Sequence, residues 1–478
     1  MPIRTLFGYW ETIKKLEAAK GKITQYTDIV RETGVSGFPI CAASPAFSHP
    51  FFFPLDPFHL FYENCMPHFW DTWVTISKPE EIVHMTQEMA SKLGAEAESA
   101  AATLPSSFCG PIRDIHKKRH SQYKIYEWMA LLHWYIVPIA WELGFDQRVV
   151  ENFALFSNVV EYAMTITTRT QDDLFKLHKK IVHFLKGFEC LYVGNDPSRI
   201  TRCRLCVFQL LLIPHHISYN GSIRFGSQAT CERAIGDIGH GIRSKKSPFK
   251  NIVTYKADKQ SVRLLHLVYP TISSAPEAAK APKASLFTKV PITQRQRRED
   301  DVIKAHIEAI QSYLGVEADD SLFQIMRWGK CTLSNNNTLT SQLFELSKKS
   351  TSRSSRYFEA HPKQGLQPRN QPMHDTEIEN EEVEPIFGEA LAFYTDTQSA
   401  EANFSLVVYH PLIETCKLFG RWYGKWSPLL CVLETSAIAS LIGTWTYNNN
   451  VHILRRHPGL TLLTLDECGI ENPLVDVE

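Results

Sequence analysis

The sequence predicts an α+β protein in which a large all-helical region precedes a β-rich C-terminal module. From residue 56 to about 220, apolar residues recur at spacings of three and four, the period of a helix face. From Ile386 onward, short β-branched and aromatic segments alternate with turn residues, a pattern typical of strands. Between these regions, 273–299 is rich in proline and 350–384 is polar, as expected of connecting segments.

The N-terminal elements follow from local signals. Residues 8–33 are predicted as one amphipathic helix, and 35–55 as a loop that leads into a buried strand at the aromatic run 51–53. Asp56-Pro57 predicts the start of the next helix, with Asp56 as N-cap and Pro57 at the first helical position. A helix that begins there places Asp56 and His59 one turn apart.

The rest of the chain divides at proline-rich and polar segments. Asp196-Pro197 predicts a second helix start, 229–245 continues as helix, and 300–314 is a short helix. An acidic cluster ends the 350–384 segment, which is expected to be a disordered loop. The predicted boundaries are 1–55 for an N-terminal segment, 56–228 for a helical domain, 229–272 for a helix with a basic tail, 273–299 for a linker, 300–349 for a small helical and extended segment, 350–384 for the acidic loop and 385–478 for the β-rich module.

The C-terminal module has regular strand signals. Strands are predicted at Ile386–Thr395, Phe404–Tyr409, Leu429–Leu433, Leu441–Tyr447 and Val451–Arg455. The last two are predicted to form a hairpin across Asn448-Asn449-Asn450, because asparagine tolerates the backbone conformation of a tight turn.

Composition restricts the class of protein without indicating a chemistry. The chain has 478 residues, 44% of them hydrophobic, enough for two or three domains with cores. Its 51 basic and 51 acidic residues cancel, so only local segments can attract nucleic acid. Eleven cysteines without regular spacing favour a reducing, intracellular compartment. The longest apolar runs, 128–141 and 205–217, are too short to span a bilayer, so no membrane partner is expected.

One acidic residue, Glu232, stands at the edge of a basic segment. Residues 238–257 contain five basic side chains and no carboxylate. Metal-dependent phosphodiester chemistry requires a carboxylate that binds a divalent ion and, beside it, cations that bind the DNA backbone. The alternative is a helix with an acidic first turn and a solvated basic flank, and these residues taken alone favour it.

Three further patterns have two interpretations each. Cys203-x-x-Cys206 with His215-His216 suggests zinc ligands, but a buried helix face is favoured because no second cysteine pair is near. The basic segment 113–120 suits either phosphate contact or a solvated loop. Three tryptophans at helical spacing could stack on bases but are assigned to the core: Trp128, Trp134 and Trp141.

The order of these motifs resembles one family. Phe53-Pro54-Leu55-Asp56-Pro57-Phe58-His59 with Glu63-Asn64 resembles a signature of the CACTA (En/Spm-type) transposases of fungi and plants. Further resemblance lies in the loop 103–108, the tryptophan-rich segment 123–138, Glu232-Arg233-x-x-Gly236 with its basic tail, Trp328-Gly329-Lys330 and Phe387-Gly388-Glu389. The resemblance covers roughly residues 30–460.

The resemblance implies a ribonuclease-H-like core split by a helical insertion, with a partial core in this chain. It implies that three carboxylates bind two Mg²⁺ or Mn²⁺ ions for strand cleavage and transfer. Glu232, Asp56 and His59 would be the catalytic residues, with Glu232 and Asp56 as metal ligands. DNA, either transposon ends or host DNA, would be the partner in the nucleus, with a homo-oligomer as a further option. The residues implied to contact DNA are Arg233, Arg243, Lys245, Lys246 and Lys250.

The sequence also departs from the family. Only 55 residues precede Asp56, too few for the core strands that carry the first two carboxylates. We therefore expect a transposon-derived protein that is truncated and catalytically inactive and that has no metal cofactor. An active enzyme of this family would instead use Mg²⁺ or Mn²⁺. Two alternatives stay open: a domesticated DNA-binding or regulatory protein, and a helical protein-interaction scaffold.

Overall fold

The computed structural model describes residues 5–39, 42, 44–45, 47–48, 52–120, 123–228, 235, 238–239, 242, 246–269, 287–289, 296–315, 325–333, 335, 337–348, 353–361, 384–396 and 405–456. The chain is mixed helical and sheet and carries a C-terminal β-barrel, which confirms the predicted class at this level. It divides into two compact units. The first unit comprises 1–69 and 155–236, and the second unit comprises 70–154 and 237–478.

The N-terminal segment holds two helices where one was predicted, so the single helix over 8–33 is wrong. The helices are Leu6–Ala18 and Ile23–Thr33. Gly21 lies between them at φ +88°, a left-handed conformation that interrupts a helix and favours glycine. The first helix buries Tyr9, Ile13 and Leu16, which recur every three or four residues.

The strand predicted before Asp56 is also wrong. Residues 52–55 form a turn and a bend rather than a strand. Phe52 and Phe53 pack against Phe47 instead, with ring centroids 5.3 and 5.9 Å apart, and Phe53 stays 44% exposed. Consecutive aromatic residues give no alternation between two sheet faces, and Pro54 has no amide hydrogen for a strand partner.

Helices dominate the described chain between residues 58 and 268. Four of them have π-helical hydrogen bonding: Phe58–Cys65, Thr72–Ile76, Leu131–Tyr135 and Glu189–Val193. The others are Met66–Asp71, Gln87–Ala100, Ala101–Thr103, Ile115–Lys118, Ile125–Ala130, Ile136–Glu142, Gln147–Met164, Gln171–Phe188, Pro197–Arg202, Leu205–Gln209, Leu210–Leu212, Ile213–Asn220, Ile223–Gly226 and Pro248–Val268.

The core of the first unit is aromatic. Six rings that are at most 1% exposed meet there: Phe61, Phe69, Phe156, Phe184, Phe188 and Tyr192. Phe188 and Tyr192, one helical turn apart, stack with centroids 4.3 Å apart. Burial of large rings is the main stabilising contribution available to a helical unit of this size. The core therefore holds the start of helix Phe58–Cys65 against the later helices of the same unit.

The second unit contains all ten described strands. They are β1 (Phe287–Lys289), β2 (Ile325–Thr332), β3 (Thr338–Thr340), β4 (Tyr357–Ala360), β5 (Ile386–Asp396), β6 (Ser405–Leu418), β7 (Arg421–Trp426), β8 (Cys431–Glu434), β9 (Ile438–Tyr447) and β10 (Asn450–Arg455). Every pairing between these strands is antiparallel.

Six strands close into a ring. The order of neighbours is β4, β5, β6, β7, β10, β9 and back to β4, while β2 and β8 extend the sheet from β5 and β6. Each strand of the ring contributes to one buried cluster: Tyr357, Phe387, Leu412, Trp422, Ile442, Val451 and Ile453. The interior is thus filled by side chains, as expected of a small closed barrel.

The predicted C-terminal strands are confirmed, although one strand falls where a disordered loop was expected. The β9–β10 hairpin turns through Asn448 and Asn449, both in the left-handed region at φ 46° and 69°. β4 lies inside the segment 350–384, which contradicts the loop for residues 353–361; the acidic cluster at 375–382 lies outside the described residues. β4 has hydrogen-bonded partners on both sides, β5 and β9.

Two helical parts pack on this barrel within the second unit. Helix Gln296–Leu314 places Ile310 against Leu391 and Leu406. Residues 70–154 contact the barrel from another side, where the Trp134 indole donates to the Arg455 carbonyl at 2.8 Å. The predicted helical domain 56–228 is therefore divided between the two units at 69 and 154. No described helix is both long and apolar enough to cross a bilayer.

Candidate nucleic-acid and carboxylate site

The helix after Asp56 begins as predicted. Asp56 accepts the Phe58 amide on Oδ1 at 3.0 Å, and its carbonyl accepts the Leu60 amide at 3.0 Å. These bonds satisfy amides that the first turn of a helix leaves without a partner. Asp56 is therefore the N-cap of this helix.

Asp56, His59 and Glu63 form a chain of polar side-chain contacts along one helix face. Asp56 Oδ2 is hydrogen-bonded to His59 Nδ1, and His59 Nε2 lies 3.3 Å from Glu63 Oε2. Their spacings of three and four bring the side chains together on a helix. Exposure rises along the chain, from 12% at Asp56 to 35% at His59 and 54% at Glu63.

The same Asp56 holds a segment far along the sequence. Its Oδ1 also accepts the Gln228 amide at 3.1 Å. Nearby, the Leu55 amide donates to Nδ1 of His216 at 3.2 Å, and burial, helped by neighbouring His215, lowers the pKa of His216. A neutral ring can accept this bond. The helix start is thus tied to residues 216–228.

Gly226 allows these segments to approach closely. A Cβ atom on Gly226 would lie 2.6 Å from the Leu55 carbonyl oxygen and 2.9 Å from Cβ of Pro54. Both contacts are shorter than atoms tolerate without movement of the backbone. Sequence reasoning missed Gly226, Gln228 and His216, because nothing local links them to residue 56.

The described carboxylates do not fit a two-ion site. Two-metal catalysis needs several carboxylate oxygens that face the same two ions. Asp56 already accepts three hydrogen bonds, and His59 has one ring nitrogen toward each carboxylate, so its nitrogens point in opposite directions. Within the described ranges, no group of three or more His, Cys, Asp or Glu side chains could hold a metal ion.

The remaining predicted site residues lie in or beside the basic segment. Glu232, Arg233, Arg243 and Lys245 lie outside the described residues. Lys246 is exposed just before helix Pro248–Val268, and Lys250 is exposed on its first turn. Three more cations follow on the same helix, Lys256, Lys259 and Arg263, with Asp258 as its one acidic residue.

The second basic segment, 113–120, is largely neutralised within the protein. Arg113 Nη2 lies 2.5 Å from Oε2 of Glu127, whose side chain is fully buried. Lys117 pairs with Asp114 at 2.9 Å, and Arg119 pairs with Asp71. Burial acts to raise the pKa of Glu127, but the bonds from Arg113 and Lys124 outweigh it and the pKa is lowered. These contacts favour a structural role for the segment.

The two C-terminal motifs of the resemblance converge on helix Gln342–Leu346. The Ser341 amide donates to the Gly329 carbonyl at 2.9 Å, and Lys330 lies over the Phe344 ring at 4.6 Å. Gln342 donates to Glu389 at 3.3 Å. Gly388 is required here because a Cβ would lie 2.5 Å from the Phe358 ring. Both motifs therefore stabilise the barrel.

The predicted core tryptophans and cysteines have clear positions. Trp128 and Trp134 are buried at 5% and 1%, which confirms their assignment to the core, and Trp141 is half-buried. Cys206 contacts Cys65 rather than pairing with Cys203.

Comparison with known proteins adds no family to this geometry: no family model, curated protein or solved structure matches the chain. The resemblance to CACTA-type transposases therefore rests on the sequence motifs alone.

Proposed function

We propose that the chain is a duplex-DNA-binding protein derived from a CACTA-type transposase, and that it binds DNA without cutting it. The observation that carries the proposal is the basic segment 238–257, which has five cations and no carboxylate in a chain whose total charge is zero. Cations that contact phosphates release condensed counterions, and this release drives binding to any duplex sequence.

The described part of this segment is suited to phosphate contact. Lys246 and Lys250 are exposed, and among the described residues neither forms an ion pair. Helix Pro248–Val268 is exposed along most of its length, so Lys250 on its first turn is accessible to a DNA backbone. Four other surface cations differ, since each has a carboxylate within 4.0 Å: Lys14, Lys20, Arg31 and Lys176.

The contact between Asp56 and Gln228 supports descent from a split ribonuclease-H-like core. In such a core, the residue at the entrance of the insertion and the last carboxylate lie near each other. Gln228 stands four positions before Glu232, and Cα atoms four positions apart are separated by at most about 14 Å. The partial core remains part of the proposal.

Cleavage is not expected with Mg²⁺ or Mn²⁺. Asp56 uses its oxygens to cap a helix, to bind His59 and to hold the Gln228 amide. One further carboxylate, Glu232, cannot hold two ions alone. Incubation of the full chain with transposon-end DNA and either metal tests this expectation. Specific nicking that disappears in Glu232→Gln would contradict it and would restore the transposase reaction.

A salt titration tests DNA binding directly. The quadruple variant Arg243→Ala, Lys245→Ala, Lys246→Ala and Lys250→Ala is compared with wild type on one duplex at several salt concentrations. Each phosphate contact contributes about −0.9 to the slope of log affinity against log salt, so the variant should flatten the slope by about 2–4. Thermal stability should change little, because exposed charges contribute little to folding.

The matched control removes four paired cations: Lys14→Ala, Lys20→Ala, Arg31→Ala and Lys176→Ala. It lowers the net charge by the same amount as the quadruple variant but should leave the slope near the wild-type value, since each of these cations has a local carboxylate. Equal slopes in wild type and the first variant would remove DNA as the partner of this segment and favour a helical protein-interaction scaffold. Equal flattening by both variants would show that only total charge matters.

A further inference from the structure

Two cysteines that are 141 positions apart in sequence contact each other in the first unit. The Cys65 sulfur lies 3.7 Å from the Cys206 carbonyl oxygen, and its single thiol proton can be donated either to that oxygen or to the Cys206 sulfur. Cys65 is the last residue of helix Phe58–Cys65, and Cys206 is the second residue of helix Leu205–Gln209. A disulfide bond between them would join two helices that are separated by 141 positions in the sequence.

The two thiols have different surroundings. Cys65 is completely buried, whereas Cys206 is partly exposed. The hydrogen bond from Cys65 lowers the pKa of Cys206 to about 7, with Arg204 contributing in the same direction. The same hydrogen bond, followed by burial, raises the pKa of Cys65. The accessible cysteine is therefore the more nucleophilic one, and its buried neighbour keeps its proton.

We propose that Cys65 and Cys206 form a peroxide-sensitive disulfide pair in which Cys206 is oxidised first and Cys65 resolves the product. In the first step, the Cys206 thiolate attacks one oxygen of hydrogen peroxide, the O–O bond breaks, and the released hydroxide takes a proton from solvent. In the second step, the Cys65 sulfur attacks the sulfenic sulfur of Cys206. The S–O bond breaks, and the leaving hydroxide combines with the Cys65 proton to form water. The two thiols lose two electrons in total, which the peroxide receives.

Cys203 is a nearby cysteine that we expect to react more slowly with peroxide than Cys206. It lies three positions before Cys206 and is also partly exposed. Burial and the neighbouring carboxylate of Glu189 raise the pKa of Cys203. A less ionised thiol reacts more slowly with peroxide. This inference is independent of the proposed DNA binding, because it concerns a different part of the chain.

The test uses the full reduced chain and a titration with hydrogen peroxide. After remaining thiols are blocked under denaturing conditions, peptides are analysed by mass spectrometry without a reductant. We expect a cross-linked peptide that contains Cys65 and Cys206, about 2 Da lighter than the two reduced peptides together, and two fewer blocked thiols among the eleven cysteines. Dithiothreitol should restore both thiols.

Three variants separate the roles. Cys206→Ser should abolish the cross-link, Cys203→Ser should leave it unchanged, and Cys65→Ser should allow a dimedone-type reagent to trap sulfenic acid on Cys206. Circular dichroism of each variant shows whether it is folded. The wild-type cross-link is measured without any substitution, so it tests the proposal even where a variant does not fold. A wild-type chain that keeps both thiols under peroxide, or that links Cys206 to Cys203 instead, would overturn the proposal.

Discussion

Two regions of the molecule place one basic side chain between two carboxylates, and they differ in what that arrangement does. In the first unit, His59 lies between Asp56 and Glu63. In the second unit, Arg356 lies between Glu345 and Glu389, with nitrogen–oxygen distances of 2.8 and 2.7 Å. The carboxylates of the Arg356 cluster are 11% and 12% exposed, whereas Glu63 in the His59 cluster is 54% exposed.

The difference separates a structural cluster from a candidate functional one. Burial acts to raise the pKa of Glu345, but hydrogen bonds from Thr340, Ser355 and Ser354 outweigh it and the pKa is lowered. Such a carboxylate depends on its partners and cannot be exposed without loss of stability. The His59 cluster sits on a half-exposed helix face and holds a segment that leads to the basic region. Contacts that stability does not require are better candidates for function.

The largest expected effect follows removal of the central cation from the buried cluster. Arg356→Met leaves Glu345 and Glu389 without a charged partner, and we expect the free energy of unfolding to fall by about 3–5 kcal/mol. Urea unfolding measures the loss. The matched control is Arg148→Met, because Arg148 pairs with Asp146 at 2.8 Å but is 63% exposed, and it should cost less than about 1 kcal/mol. Equal losses would mean that burial does not decide how much an arginine–carboxylate pair contributes to stability.

A buried histidine gives a second large effect. His306 is 1% exposed, its Nδ1 lies 2.9 Å from the Tyr394 hydroxyl, and burial lowers its pKa to about 4. Because the folded pKa is below the unfolded value, the unfolded state binds the proton first. Stability from this group is complete above about pH 6.5 and is lost as the pH falls toward 4, by about 3 kcal/mol.

The contribution is measured as the difference between wild type and His306→Gln. The variant should lose less stability than wild type between pH 6.5 and 4. A His306→Gln variant that loses as much stability as wild type over this range would contradict the assignment to His306.

A smaller effect is expected at the helix start. Asp56→Ala removes the acceptor for the Phe58 and Gln228 amides and should cost about 1 kcal/mol, the usual effect of losing an N-cap. Asp56→Asn keeps an oxygen acceptor and should cost only a few tenths of a kcal/mol. Urea unfolding of both variants distinguishes the capping role from the charge. Equal losses would mean that the charge of Asp56 matters more than its capping bond.

The smallest effect is expected from Glu63→Gln, at less than about 0.5 kcal/mol, because a contact at 54% exposure is screened by solvent. Glu389→Gln makes the same chemical change beside Arg356 at 12% exposure and should cost more, about 1–3 kcal/mol. Chemical denaturation of this pair is the sharpest test of the comparison, since only the surroundings differ. A larger loss from Glu63→Gln would show that the exposed cluster is the structural one.

The sequence by itself determined the features that depend on neighbouring residues. Asp56-Pro57 and Asp196-Pro197 both start helices, because a capping side chain and a proline at the first position act within one turn. The β9–β10 hairpin follows from Asn448 and Asn449, which tolerate a left-handed backbone. The β-rich C-terminal module follows from its short strand signals.

Only the tertiary structure decided the long-range arrangement. β4 has four residues in a polar region and forms because β5 and β9 supply hydrogen-bonded partners. The division of the helical region at 69 and 154 and the contact of Asp56 with Gln228 have no local signal either. Sequence spacing determines which residues share a turn or a strand face. Contacts between distant residues depend on how the buried surfaces of whole elements fit together, and no short segment contains that information.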